Sequence, residues 1–123
     1  MNNDVELKTI LVIEDELALA KALRLKLVSS GFNVVVAGDG KQAIEKLAEG
    51  GFDLALVDLL MPDVDGWEVL KICSEKNLKT MVVSNLGQEE DIKKVKELGA
   101  IDYLVKTNVS IQSVVDKIKE YLR

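Results

Sequence analysis

Residues 54–66 read Leu54-Ala55-Leu56-Val57-Asp58-Leu59-Leu60-Met61-Pro62-Asp63-Val64-Asp65-Gly66, an apolar run closed by an acid and followed by turn formers. Such a run fits a strand covered on both faces, as parallel strands are. A carboxylate at its end stands where open parallel sheets bind ligands, beyond the carboxyl ends of the strands. Outward from this segment, short β-rich runs recur at Thr9–Ile13, Asn33–Ala37, Met81–Ser84 and Ile101–Val105, with Leu54–Asp58 the third of five. Between and after them lie apolar stripes at helical spacing. These are Leu17, Ala20, Leu23, Leu27 and Val28; Ala43, Ile44, Leu47 and Ala48; Val69, Leu70 and Cys73; Ile92, Val95 and Leu98; and Ile111, Val114, Val115, Ile118 and Leu122. Gly31, Gly50-Gly51 and Gly99 fall where helices should stop. Five β-α repeats predict an α/β chain with a doubly wound, five-stranded parallel sheet, because right-handed crossovers place helices on both faces. The length of 123 residues fits one domain, residues 1–123.

At 48% hydrophobic and 30% charged, the chain can bury a core and keep a polar surface. A net charge of −5 argues against nucleic acid as a partner, since that needs a cationic face to displace counterions. A single cysteine suits a reducing compartment, and no leader or long apolar run is visible, so a cytoplasmic protein with no membrane partner is expected. Asn108-Val109-Ser110 matches a glycosylation pattern that has no use in that compartment. The absence of histidine removes the commonest general base and metal ligand, leaving carboxylates, hydroxyls and lysine for any chemistry.

The strand ends carry those groups. Glu14-Asp15 follows the first strand, Asp58 closes the third, Ser84 the fourth, and Lys106 follows the fifth. If these strands are neighbours, three carboxylates approach to about 5 Å, where each pair repels by roughly 3 kcal/mol at an effective dielectric near 20. Lys106 offers one compensating charge, so a divalent cation completes the balance. All-oxygen ligands favour Mg²⁺ over Mn²⁺ or Ca²⁺. The same groups suit phosphoryl transfer, with cations neutralising the equatorial oxygens, Asp58 attacking phosphorus and Ser84 bonding one phosphoryl oxygen.

Plainer accounts exist for each group. Asp15 and Glu16 could cap the first helix, though that leaves Glu14 unexplained. Ser84 could be a turn residue, Tyr103 a packed aromatic and Lys106 a solvated lysine. Pro62 and Gly66 suit loop geometry. Lys93, Lys94 and Lys96 read as a solvated face, Cys73 as buried and inert, and Trp67 as either exposed or packed on the third helix.

In order along the chain, Val12-Ile13-Glu14-Asp15-Glu16, Asp58 to Gly66, Ser84 and Tyr103-Leu104-Val105-Lys106 together resemble the receiver domain of two-component response regulators, over essentially the whole chain. The resemblance implies a flavodoxin-like sheet of order 2-1-3-4-5. It implies phosphorylation of Asp58 by a sensor histidine kinase or histidine phosphotransfer protein. Mg²⁺ would be held by Asp15, Asp58 and the Leu60 carbonyl, with Glu14 contributing through water. Ser84 and Tyr103 would form a switch pair that remodels the face of helix 4, strand 5 and helix 5 for a downstream target. A homodimer through that face is possible by the same analogy. The protein would not be an enzyme, beyond catalysing its own phosphorylation and dephosphorylation. No output segment follows the fifth helix, which suggests a single-domain form or a fragment of a longer regulator.

Three positions depart from the family pattern. Thr107 replaces the proline that usually follows the lysine in a cis peptide, so Lys106 could sit differently or be forced into a strained bond. Asn85 replaces a small residue after Ser84 and should narrow access. Leu60 and Leu86 flank the site and are expected to shield an acyl phosphate from water. The rival reading is a receiver-like docking module that takes no phosphate. An Asp-nucleophile phosphatase would need a second aspartate at position 60, a flavodoxin would be repelled by Glu14-Asp15-Glu16, and no P-loop occurs.

Overall fold

The computed structural model describes residues 6–61, 65–85 and 88–123. Its elements alternate as β1 Thr9–Ile13, α1 Leu17–Ser29, β2 Asn33–Ala37, α2 Gly40–Glu49, β3 Leu54–Val57, α3 Gly66–Glu75, β4 Lys79–Ser84, α4 Glu89–Glu97, β5 Asp102–Val105 and α5 Ile111–Tyr121, with a short 3₁₀ turn at Lys106–Asn108 before α5. The five strands are parallel in the order β2-β1-β3-β4-β5, as expected. Asp58 lies one residue beyond β3 rather than within it, and β4 starts two residues earlier than its apolar run.

Alternating side chains divide the core in two. Leu11, Ile13, Ala55, Val57 and Val82 face α2, α3 and α4, while Ile10, Val12, Leu54, Leu56 and Met81 face α1 and α5. Covering both faces explains the unbroken apolar runs at residues 10–13, 54–57 and 81–83 in the three central strands. The stripes on α3 and α5 pack as the periodicity predicts. On α1 only Ala20, Leu23 and Leu27 are buried, while Leu17 is 79% and Val28 52% exposed. Ala48 of α2 is exposed too. An apolar stripe one residue too wide rolls its edges out of a sheet that is only a few strands across.

Helix boundaries follow local chemistry. Asp39 accepts from the Gln42 amide at 2.7 Å to start α2, and Ser110 forms a reciprocal capping box with Ser113 to start α5. Gly31, Gly50 and Gly99 all take positive φ at helix ends, and Asn77 does so after α3, where no glycine is available. Among the described residues no helix is long and apolar enough to cross a membrane.

Candidate functional site

The strand register assembles the site. Ile13 pairs with Val57, so Glu14 and Asp58 leave the sheet side by side, and the Asp58 amide donates to the Ile13 carbonyl at 3.1 Å. Ser84 pairs with Val105, which brings Lys106 to the same rim. Carboxylate oxygens of Glu14, Asp15 and Asp58 lie within 4.8 Å of one another, matching the spacing expected from the sequence.

Lys106 sits among the acids. Its Nζ is 2.8 Å from Glu14 Oε1, 3.0 Å from Asp58 Oδ2 and 3.9 Å from Glu16 Oε2. No peptide among the described residues is cis, so the chain is trans through Thr107 and Lys106 still reaches Asp58. The 3₁₀ turn at Lys106–Asn108 supplies the change of direction. The other Asp58 oxygen, Oδ1, accepts from the Leu60 amide at 2.9 Å. The carboxylate is thus held from both sides.

Glu14 is 4% and Asp58 5% exposed. A cavity of about 40 Å³ under the rim, bounded by Val12, Leu56, Val83 and Val114 among others, provides an apolar backing. Burial pushes the Glu14 carboxyl above its usual range, against the opposing pull of Lys106 and of the Glu16 amide. For Lys106, burial works to lower the pKa, but the bonds to Glu14 and Asp58 prevail and the ammonium is held more firmly than usual.

The capping account of the first acids fails. Glu16 occupies the N-cap of α1 without a side-chain cap bond, and α1 has no acid in its first turn. The Glu16 amide instead donates to Glu14 Oε2 at 3.0 Å, which turns the Glu14 carboxylate toward Lys106. The sequence reading did not anticipate two contributors, the Glu16 carboxylate beside Lys106 and the Leu60 amide on Asp58. The Leu60 amide stands two residues after an acid, where a backbone N–H can return to the side chain, whereas no spacing marks the Glu16 carboxylate.

Ser84 is fully buried, and Tyr103 is 8% exposed beside it. Neither hydroxyl makes a well-formed hydrogen bond. Burial raises the Tyr103 phenol, Asp91 on α4 adds to the rise, and the nearby Ser84 hydroxyl tempers it. Two buried hydroxyls without firm partners suit a pair that takes up new ones in another state. Asn85 and Leu60 are exposed at the rim, Leu60 by 50%. Pro62 and Leu86 lie outside the described residues.

Gly66 has a different role from loop flexibility. A Cβ there would stand 2.6 Å from both Cα and O of Leu59, so α3 must begin with glycine to pack against the backbone after Asp58. Trp67 is half-buried against the core, and Lys94 Nζ lies 4.4 Å from its ring centroid. Cys73 is buried, and burial raises its thiol.

A family model described as the response regulator receiver domain matches residues 10–119. The alkaline phosphatase synthesis transcriptional regulatory protein PhoP of Bacillus subtilis is 35% identical over 118 residues, covering 94% of this chain and 49% of that protein. The chain therefore spans about half the length of the curated relatives it matches. Among solved structures, a CheY-like receiver domain protein from Methanospirillum hungatei superposes with a TM-score of 0.88 at 28% identity, over 95% of this chain and 94% of that one. The response regulator TrrA of Thermotoga maritima, in complex with Mg²⁺ and BeF, gives 0.79 at 26% identity, over 93% and 98%.

Proposed function

Because the chain belongs to the response regulator receiver domain family, we propose that it is a phosphorylation-dependent signalling switch whose acceptor is Asp58. The observation that carries this reading is the Asp58 carboxylate fixed by Lys106 at 3.0 Å and the Leu60 amide at 2.9 Å, beside two further acids. In the proposed step an Asp58 oxygen attacks the phosphorus of a phosphohistidine on a sensor kinase or phosphotransfer protein. The P–N bond breaks, the imidazole takes the electron pair and a proton, and an acyl phosphate remains. Lys106 stays paired to the growing negative charge, and Ser84 donates to a phosphoryl oxygen.

The three clustered carboxylates and their all-oxygen chemistry fit Mg²⁺, held by Asp15, Asp58 and the Leu60 carbonyl, with Glu14 acting through water. When bound, Mg²⁺ would neutralise charge on the phosphoryl oxygens. The Mg²⁺ and BeF bound by the Thermotoga regulator support this assignment. Movement of Ser84 toward the phosphoryl group would draw Tyr103 after it and remodel the α4–β5–α5 face for a downstream protein or a second copy. The protein would act in the cytoplasm, catalysing only its own phosphorylation and hydrolysis.

The test is intact mass after incubation with acetyl phosphate, with and without Mg²⁺, on wild type and Asp58→Asn. One phosphoryl group gained only with Mg²⁺ and only on wild type is expected. No gain from acetyl phosphate or a phosphorylated kinase would replace the switch with a phosphate-independent docking module.

A further inference from the structure

Val95 is the one fully buried side chain of α4, with Ile92 packed partly buried against the same core. One contact ties it elsewhere. Lys94 Nζ stands 4.4 Å over the Trp67 ring, within the range of a cation–π attraction. Trp67 is itself well fixed. The Asp65 carboxylate accepts from its amide at 2.9 Å, its ring packs on the core, and its neighbour Gly66 lies against Leu59, the residue after Asp58. Asp91, on the same helix as Lys94, raises the Tyr103 phenol through its charge, with no hydrogen bond between them. The helix that follows Ser84 is therefore tied at Lys94 to a fixed point on α3, next to the acceptor loop.

We propose that the Lys94–Trp67 contact is a latch that holds α4 in its unphosphorylated position, making Lys94 and Trp67 positioning residues for the switch at Asp58. The coupling half of this inference rests on Asp58 being the acceptor. A rotation or shift of α4 that follows Ser84 and Tyr103 carries Lys94 away from a ring that cannot follow, because Gly66 and Asp65 fix the start of α3. An interaction present in one state only must bias the equilibrium by its own strength. At an exposed site a cation–π contact corresponds to roughly 2- to 5-fold.

The full chain would be compared as wild type, Lys94→Met, Lys94→Arg and Lys93→Met, the last changing the charge equally one residue away. Two readouts are needed: backbone amide exchange across Glu89–Glu97 without any phosphodonor, and titration with beryllofluoride and Mg²⁺ followed by amide chemical shifts. In Lys94→Met the α4 amides should exchange about 2- to 5-fold faster, and half-saturation should come at a similarly lower beryllofluoride concentration. Lys94→Arg and Lys93→Met should behave as wild type. Unchanged exchange in Lys94→Met, or the same effect in Lys93→Met, overturns the latch. Faster exchange with an unmoved titration overturns its coupling to the switch. A wild type that binds no beryllofluoride instead removes Asp58 as acceptor and the coupling with it, while exchange still decides whether the latch exists.

Discussion

At the residue scale, the site is a balance of charge in a poorly solvated rim. Lys106 sets one positive charge against both Glu14 and Asp58, each about nineteen-twentieths buried. Removing one partner of a buried pair leaves an uncompensated charge, at a cost of about 3–5 kcal/mol when burial is complete. The Lys106 side chain is 17% exposed, so Lys106→Met is expected to cost about 2–3 kcal/mol in chemical denaturation without divalent ions. Saturating Mg²⁺ should recover much of that loss, since it supplies the missing charge. An identical loss with and without Mg²⁺ would show that no ion takes over the charge of Lys106. Leu60, half-exposed at the rim, is the other residue with a clear expectation. Its apolar side chain should keep water from an acyl phosphate, so Leu60→Asn should shorten the phosphoryl lifetime severalfold in a phosphate-release assay. A fast loss of phosphate that the substitution leaves unchanged would end that account.

At the element scale, the junctions between strand ends and helices hold the acceptor in place. Gly66 lets the first turn of α3 lie on the backbone of Leu59, and Gly66→Ala would drive a methyl group to 2.6 Å from that backbone. Overpacking of this kind typically costs 1–3 kcal/mol, so a lowered melting temperature with slower phosphorylation is expected. Wild-type values for both would mean that the loop after Asp58 relaxes freely. The start of α5 offers a contrast, because Ser110 lines the cavity beneath the acids but bonds only within its own capping box. Ser110→Ala removes half of a capping box and should cost about 1 kcal/mol while leaving phosphorylation alone. Of the residues that make these junctions only Gly66 was visible in the sequence, as loop geometry, since Asp65 and Ser110 carried no capping reading there. That Gly66 serves close approach rather than a left-handed turn was not, because both uses ask for the same residue.

At the scale of the whole molecule, two buried groups predict how stability responds to alkali. Burial raises both the Cys73 thiol and the Tyr103 phenol, so the folded state prefers their neutral forms more strongly than the unfolded chain does. Their contribution is intact below the pH at which a free thiol ionises. It is lost progressively as pH climbs through that value toward the folded one, because only the unfolded state releases the proton. Urea midpoints measured from neutral to strongly alkaline pH should fall from the thiol range onward, and Cys73→Ala should delay the onset while lowering the plateau. A midpoint that stays flat until the lysines titrate would contradict this linkage. Mg²⁺ binding should act on the same curves, adding about 2.7 kcal/mol at a hundredfold excess over its dissociation constant.

The alternation of elements, the apolar character of the central strands and the place of Glu14, Asp15, Asp58, Ser84 and Lys106 at strand ends were legible along the chain. These follow from local periodicity and from the rule that parallel sheets present ligand groups at their carboxyl edge. Only the tertiary structure decided which edges of a stripe face water, as at Leu17 and Val28, since that depends on how far each helix rolls on the sheet. It also decided that Lys106 reaches Asp58 through a trans bond, that Glu16 turns its amide onto Glu14, and that Lys94 lies over Trp67. The Lys106 and Lys94 contacts join groups far apart along the chain at packing distances that no spacing encodes, while the Glu16 contact is local and depends on the turn taken after β1.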